Sequence, residues 1–408
     1  MKPSLLLRPL SGRSKRCRVA VVTLTIVAIG GGGALVATGA SASSHSEGWF
    51  WGWPGGQGDH RRPTPSRTAV PGWPTASPGA PTLPGAPGVP AGTPAPTPSV
   101  TAPESTAPTG VPGDSEDGGG GSPVATGVVG WATQNGGTSG GSSSKVVKVS
   151  DASAFTAAVG SSTSQTVQVS GTISLSDMVK VAADKTILGT GANATITGGG
   201  LNISGVKNVV VRNVNFKDWG DDAINVQNAA TNVWIDHNSF SKGKDGAVDI
   251  KRASDYVTVS WNHFLGHDKT CLLGHSDTNG SEDKGHLRVT YHHNWFDGTS
   301  QRHPRVRFAN PVHVYNNYYS NNSGYGVAST EGAGVLVEAN YFENVEDPFH
   351  LGEADSGPGT LVAKNNKLVN SGSGQASGSV AAIPYSYSAD AADGVKSSVS
   401  AGAGAGHL

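Results

Sequence analysis

The chain of 408 residues carries 29 Lys and Arg against 30 Asp and Glu, with two cysteines. That balance excludes a basic surface able to gather nucleic acid or another polyanion by its overall field. Two cysteines likewise exclude a disulfide framework.

Six of the 29 basic residues (Lys2, Arg8, Arg13, Lys15, Arg16 and Arg18) precede an apolar run from Val19 to about Thr38, which ends in Ala40-Ser41-Ala42. A basic start, an apolar middle and a small-residue end predict a secretory signal over 1–42, cut after Ala42. The rival reading is an uncleaved membrane anchor, since about 20 residues span a bilayer. Gly30 to Gly33 weaken a helix there and favour cleavage. Cleavage leaves 23 basic against 30 acidic residues, a net of −7, in a secreted, extracellular chain with no membrane attachment. An acidic ligand must then be held by local cations or by metal. Cys17 leaves with the signal, so Cys271 has no partner and a large core must hold the fold.

Residues 43–126 read as a solvated linker. Pro54 to Pro123 alone hold 17 of the 24 prolines, among Thr, Ala, Ser and Gly, and too few large apolar side chains to offset ordering entropy. E-G-W-F-W-G-W-P, Glu47 to Pro54, reads as an aromatic tail, with sugar stacking and membrane-interface contact as the rivals.

The folded domain is expected over 127–408, and its main feature is a repeat. The frame apolar-x-apolar-x-x-Asn-x-aromatic occurs in V-W-I-D-H-N-S-F from Val233 and V-T-V-S-W-N-H-F from Val257. It recurs in V-T-Y-H-H-N-W-F from Val289, V-H-V-Y-N-N-Y-Y from Val312 and V-L-V-E-A-N-Y-F from Val335. A unit from Val209 lacks the Asn, and one from Leu361 ends in Leu. Starting positions step by 24, 24, 32, 23, 23 and 26 residues. Such a period signals stacked units. Short alternating strands without helical crossovers are best satisfied by an all-β, right-handed parallel β-helix rising about 4.8 Å per coil. Asn238, Asn262, Asn294, Asn317, Asn340 and Asn366 then share one register, where a side-chain ladder at a turn is expected.

Equal offsets within successive coils stack. Asp222 follows Val209 by 13, Asp245 follows Val233 by 12, Lys269 follows Val257 by 12 and Arg302 follows Val289 by 13. Two carboxylates, an ammonium and a guanidinium thus line one groove, roughly 15 Å long at this rise. Asp249 and Arg307 lie on the same side. Asp222, Asp245 and Asp249 offer oxygen donors without His or thiolate, which favours Ca²⁺. At the other end Q-R-H-P-R-V-R-F, Gln301 to Phe308, gathers Arg302, Arg305, Arg307 and His303 around Pro304 as a positive patch awaiting an anion, and guanidinium forks suit carboxylates.

G-W-A-T-Q-N-G-G-T-S-G-G from Gly130, V-W-I-D-H-N from Val233, D-G-A-V-D-I-K from Asp245, K-T-C-L-L-G-H-S-D from Lys269 and the R-x-P-x-x-R box Arg302 to Arg307 resemble, in order, the boxes of the secreted pectate lyases, a family that includes pollen homologues. The resemblance implies a monomeric, Ca²⁺-dependent lyase cutting polygalacturonate by β-elimination. By motif position, Asp222, Asp245 and Asp249 match its Ca²⁺ ligands and Arg302 its proton-abstracting residue. Lys269 and Arg307 match its substrate-carboxylate binders, with Lys269 also helping to stabilise the developing charge. Asp236 and His237 are read as structural support. Gly220 stands where some members carry a further Ca²⁺-binding Asp, and relatives acting on methylated pectin replace the Ca²⁺ carboxylates with arginine. Three readings stay open beside this one: a pectin lyase, a hydrolytic polygalacturonase suggested by Gly220-Asp221-Asp222, and a non-catalytic polysaccharide-binding solenoid.

Overall fold

The computed structural model describes residues 127–408, so the predicted signal over 1–42 and the linker over 43–126 lie outside the described residues. Three parallel sheets of ten, nine and eight strands wind together into the expected parallel β-helix. The first sheet contains the repeat strands, among them Lys207–Arg212, Thr231–Asp236, Asp255–Ser260 and Val289–His292. Val209, Val233, Val257 and Val289 lie side by side, as the spacing predicts. The second sheet begins one residue beyond the Asn position and stacks Phe216, Phe240, Phe264, Phe296, Tyr319 and Phe342, with ring centroids 4.3–5.2 Å apart. These rings are fully buried together with the alternate valines and isoleucines of the first sheet. At roughly 25 cal/mol per Å² of apolar area, a continuous bore of this kind supplies the stabilisation that disulfides cannot.

The asparagines form the expected ladder. From Asn238 to Asn340 each backbone N–H and each Nδ2 donates to Oδ1 of the Asn one coil on. Each Nδ2 also donates to a first-sheet carbonyl, such as Val259 O for Asn294. The left-handed residue of the turn is the one before each Asn: His237, Trp261, His293, Asn316, Ala339 and Asn365 all have φ of 51–56°. The Asn therefore serves as a hydrogen-bond bridge, and the strain of the bend falls on its neighbour.

The ends and faces of the solenoid are covered. Helix Ala152–Gly160, capped by Asp151, buries Phe155 and Val159 at the N-terminal end. Helix Ala392–Gly402 lays Val395 and Val399 on Tyr318 of the second sheet. The Gly130–Gly141 segment crosses the first sheet, with Trp131 N–H donating to Thr290 Oγ1 and Ala132 N–H to Thr258 Oγ1. Gly130 has φ 95°, and a β-carbon there would sit 2.6 Å from Thr290 Oγ1, so only glycine permits that crossing. These coverings leave the outer face of the third sheet for the site.

Candidate active site

The third sheet contains Ile224–Gln227, Val248–Ile250, Leu272–Leu273 and Arg305–Arg307. Ile224 and Val226 pair with Val248 and Ile250, and all four enter the core. Alternation puts Asn225 and Asp249, which pair between them, on the outer face. Asp222 and Asp245 lie in the turns entering these strands. Lys269 and Arg302 lie in the corresponding turns of the next two coils, so the five predicted residues belong to one side of the solenoid.

Asp222 and Asp249 converge. A β-carbon on Gly246 would sit 2.2 Å from Asp249 Oδ1 and 2.8 Å from Asp222 Oδ1, so both carboxylates crowd the same α-carbon. Both residues are buried. Burial, and next the charge of Asp222, push Asp249 up to about 7 against the pull of Lys251 and Arg302. Burial also raises Asp222, opposed chiefly by Lys251, whose Nζ is 3.2 Å from Asp222 Oδ2. Beside them the buried Oδ1 of Asn225 has no hydrogen-bond partner. Two crowded carboxylates next to an orphaned amide oxygen fit a hard cation, which takes oxygen ligands and relieves the like-charge repulsion.

Asp245 is placed differently. Its carbonyl accepts from Trp219 Nε1 at 3.2 Å and lies 2.7 Å from His267 Nε2, while its half-exposed carboxylate meets Lys269 Nζ at 3.3 Å. Among the described residues no three His, Cys, Asp or Glu side chains form a ready-made metal cluster. The Asp222–Asp249 pair is the assembled part, and Asp245 stands next to it on Lys269.

The basic half depends on one extra residue. Lys269 bridges to Gln301, a separation of 32, but Leu272 pairs with Arg305, a separation of 33. The additional residue falls in the stretch 302–304, where Arg302 takes φ 65°. Such a bulge re-aims a side chain beside a site. The offset row predicted from sequence is accordingly one residue out: Lys269 faces Gln301, with Arg302 next in the bulge. Arg302 carries a buried, unpartnered Nε, and its charge acts on Asp249.

Two members of the predicted patch are not free cations. His303 points inward, fully buried, with Nδ1 2.7 Å from Tyr325 O, and burial pushes its pKa down to about 3. It is a neutral core residue, held there by the packing of Phe296 and Tyr319. Arg307 is also buried, donating from Nε to Asp277 Oδ1 at 2.5 Å and from Nη1 to Gly274 O at 2.9 Å. Arg305, partly exposed, donates from Nη2 to Glu353 O and Ser356 Oγ. Sequence reasoning passed over Lys251, Asn225, Asp277 and Ser356. Lys251 and Asp277 lie in quoted motifs, whereas Asn225 and Ser356 carry no local signal.

Asp236 ends a first-sheet strand and His237 begins the turn after it, away from this face. Asp236 accepts from Arg212 Nε at 2.8 Å and Ser260 Oγ at 2.6 Å and lies 2.7 Å from His237 Nδ1, whose ring stacks on Trp261. That arrangement ties coils together.

The sequence profile of the pectate lyase family matches residues 122–408. Probable pectate lyase A of Aspergillus flavus is 39% identical over 287 residues, covering 67% of this chain and 87% of its own length. The pectate trisaccharide-lyase of Bacillus licheniformis is 36% identical over 300 residues, covering 68% and 86%. Among solved structures, a pectate lyase from Bacillus sp. N165 in complex with trigalacturonate is 33% identical, has a TM-score of 0.63, and aligns with 69% of this chain and 99% of its own.

Proposed function

This chain belongs to the pectate lyase family, and we propose that it is a secreted, Ca²⁺-dependent lyase that cuts α-1,4-polygalacturonate by β-elimination into unsaturated oligogalacturonates. The observation that carries this reading is the meeting of Asp222 and Asp249 over Gly246, with Lys269 and Arg302 on the two following coils. The trigalacturonate of the solved relative supports a uronate ligand.

Asp222 and Asp249 would hold the cation, with Asp245 completing the protein's share. Bound there, calcium would supply Lewis-acid charge to stabilise the enolate-like uronate of the transition state. Lys269, next to Asp245, adds a second positive charge on the side where negative charge develops. Arg302 removes the C5 proton. The C5–H electron pair becomes the C4=C5 double bond as the C4–O4 bond breaks, and the departing O4 takes a proton from water. Burial of Asp222 and Asp249 would limit solvent access to a cation held there.

Polygalacturonate and highly methylated pectin, each with and without chelator, followed by ultraviolet absorbance, test the reading. Absorbance on polygalacturonate that chelation abolishes is expected. Reducing ends without absorbance would assign a hydrolase, and binding without chain shortening a non-catalytic solenoid.

A further inference from the structure

The positive end of the cleft contains three guanidiniums with unequal partners. Arg307 is neutralised by Asp277 at 2.5 Å. Arg302 and Arg305 have no carboxylate partner among the described residues, and each carries a buried Nε without a hydrogen bond. Glu353 gives Arg305 only its backbone carbonyl at 3.0 Å, and its Oε2 faces His350 Nε2 at 3.2 Å. Burial, and next the charge of Arg307, disfavour the protonated form of Arg305 against the weaker pull of Tyr325 and Glu353, and no carboxylate forms an ion pair with the guanidinium among the described residues. A desolvated cation of this kind gains more from a bound anion than one already paired.

Arg305 is also held in place. Ser356 Oγ donates to Asp277 Oδ1 at 2.7 Å and accepts from Arg305 Nη2 at 2.7 Å and Arg307 Nη2 at 3.4 Å. A serine hydroxyl has one donor and two acceptor sites, and all three are used. Ser356 is buried and lies 79 residues from Asp277, so two distant loops close on the pair of arginines. In the third sheet Arg305 stands two coils from Asp249 in the same register, through Leu272. That is roughly 10 Å from the cation pair at the ordinary coil rise, about two sugar rings along the groove.

We propose that Arg305 is a further substrate-binding residue, receiving a uronate carboxylate about two sugars from the Asp222–Asp249 pair, and that Ser356 is the positioning residue that aims it. The assignment rests on the lyase reading of the cleft and deepens it. Arg305 presents the carboxylate-seeking fork, whereas Arg307, tied to Asp277, stiffens the clasp.

The test is calorimetric binding of saturated trigalacturonate with Ca²⁺, together with steady-state elimination on polygalacturonate, for the wild-type chain and for Arg305→Ala, Ser356→Ala and Ser356→Thr. Arg305→Ala is expected to weaken binding and raise KM about tenfold or more, with kcat within about threefold. It should also shrink the preference for unesterified over methyl-esterified oligomers. Ser356→Ala should raise KM several-fold and Ser356→Thr, which keeps the hydroxyl, should restore it. Unchanged affinity and ester preference in Arg305→Ala, in a variant that melts like the wild type, would overturn the assignment while leaving the lyase reading intact. A wild-type chain that binds no trigalacturonate would sink both. Equal loss in Ser356→Ala and Ser356→Thr would remove the positioning role.

Discussion

The carboxylates of Asp222 and Asp249, carried by neighbouring coils, crowd the single α-carbon of Gly246, and burial with mutual repulsion pushes Asp249 up to about 7. A carboxyl raised from 3.8 in the unfolded chain to about 7 in the folded one keeps a proton that the unfolded chain has lost. Stability of the cation-free protein therefore falls as pH rises from about 4 to about 7. Calcium bound at the pair, as proposed, would offset that loss, by about 2.7 kcal/mol at 100 times its Kd. Melting temperatures should rise with Ca²⁺ much more at pH 8 than at pH 5. Asp249→Asn should flatten both dependences, and an unchanged calcium shift in that variant would remove the pair from the cation site.

Gly246→Ala places a methyl 2.2 Å from Asp249 Oδ1. The carboxylates must part to admit it, so calcium affinity should drop about tenfold or more, since ligand geometry sets affinity at such sites. Calcium titration by calorimetry reads this directly. Wild-type affinity in the alanine variant would show that the two carboxylates do not share an ion.

Arg302→Lys keeps a cation but loses the guanidine proposed to accept the proton. We expect kcat to fall about 100-fold or more with trigalacturonate binding largely kept. Because arginine gives up its proton only at high pH, wild-type turnover should climb through the alkaline range. Near-normal turnover in Arg302→Ala would falsify its role as base.

Asn294 is fully buried within the ladder, where its Oδ1 accepts from Asn262 and its Nδ2 donates to Val259 O and Asn317 Oδ1. Asn294→Ala strands several of these groups away from water, at a cost of about 2–4 kcal/mol. Asn366, the partly exposed final member, should cost less than half as much on the same change. Equal losses from the two variants in denaturant titrations would mean that the ladder is not cooperative.

Much of this molecule is legible in the chain because a solenoid converts spacing into position. Val209, Val233, Val257 and Val289 align as their intervals require, and the asparagines meet one another coil by coil. Periodicity also brings Asp222, Asp245, Asp249, Lys269 and Arg302 to one face. It fails where the backbone departs from the period. Lys269 keeps the 32-residue interval of the repeat strands and meets Gln301, but the extra residue at 302–304 then moves Leu272 onto Arg305, and no interval between repeat strands reveals it.

The coil register, the core rows and the face on which acid and base gather thus follow from spacing along the chain, because in-register parallel pairing repeats at every turn. Which charges are open to a ligand depends instead on the folded packing. Burial made His303 a neutral core residue, Asp277 closed on Arg307 from a neighbouring loop, and Ser356 reached Arg305 from 51 residues away. Those contacts come from loops outside the repeat, where spacing along the chain no longer fixes distance in space.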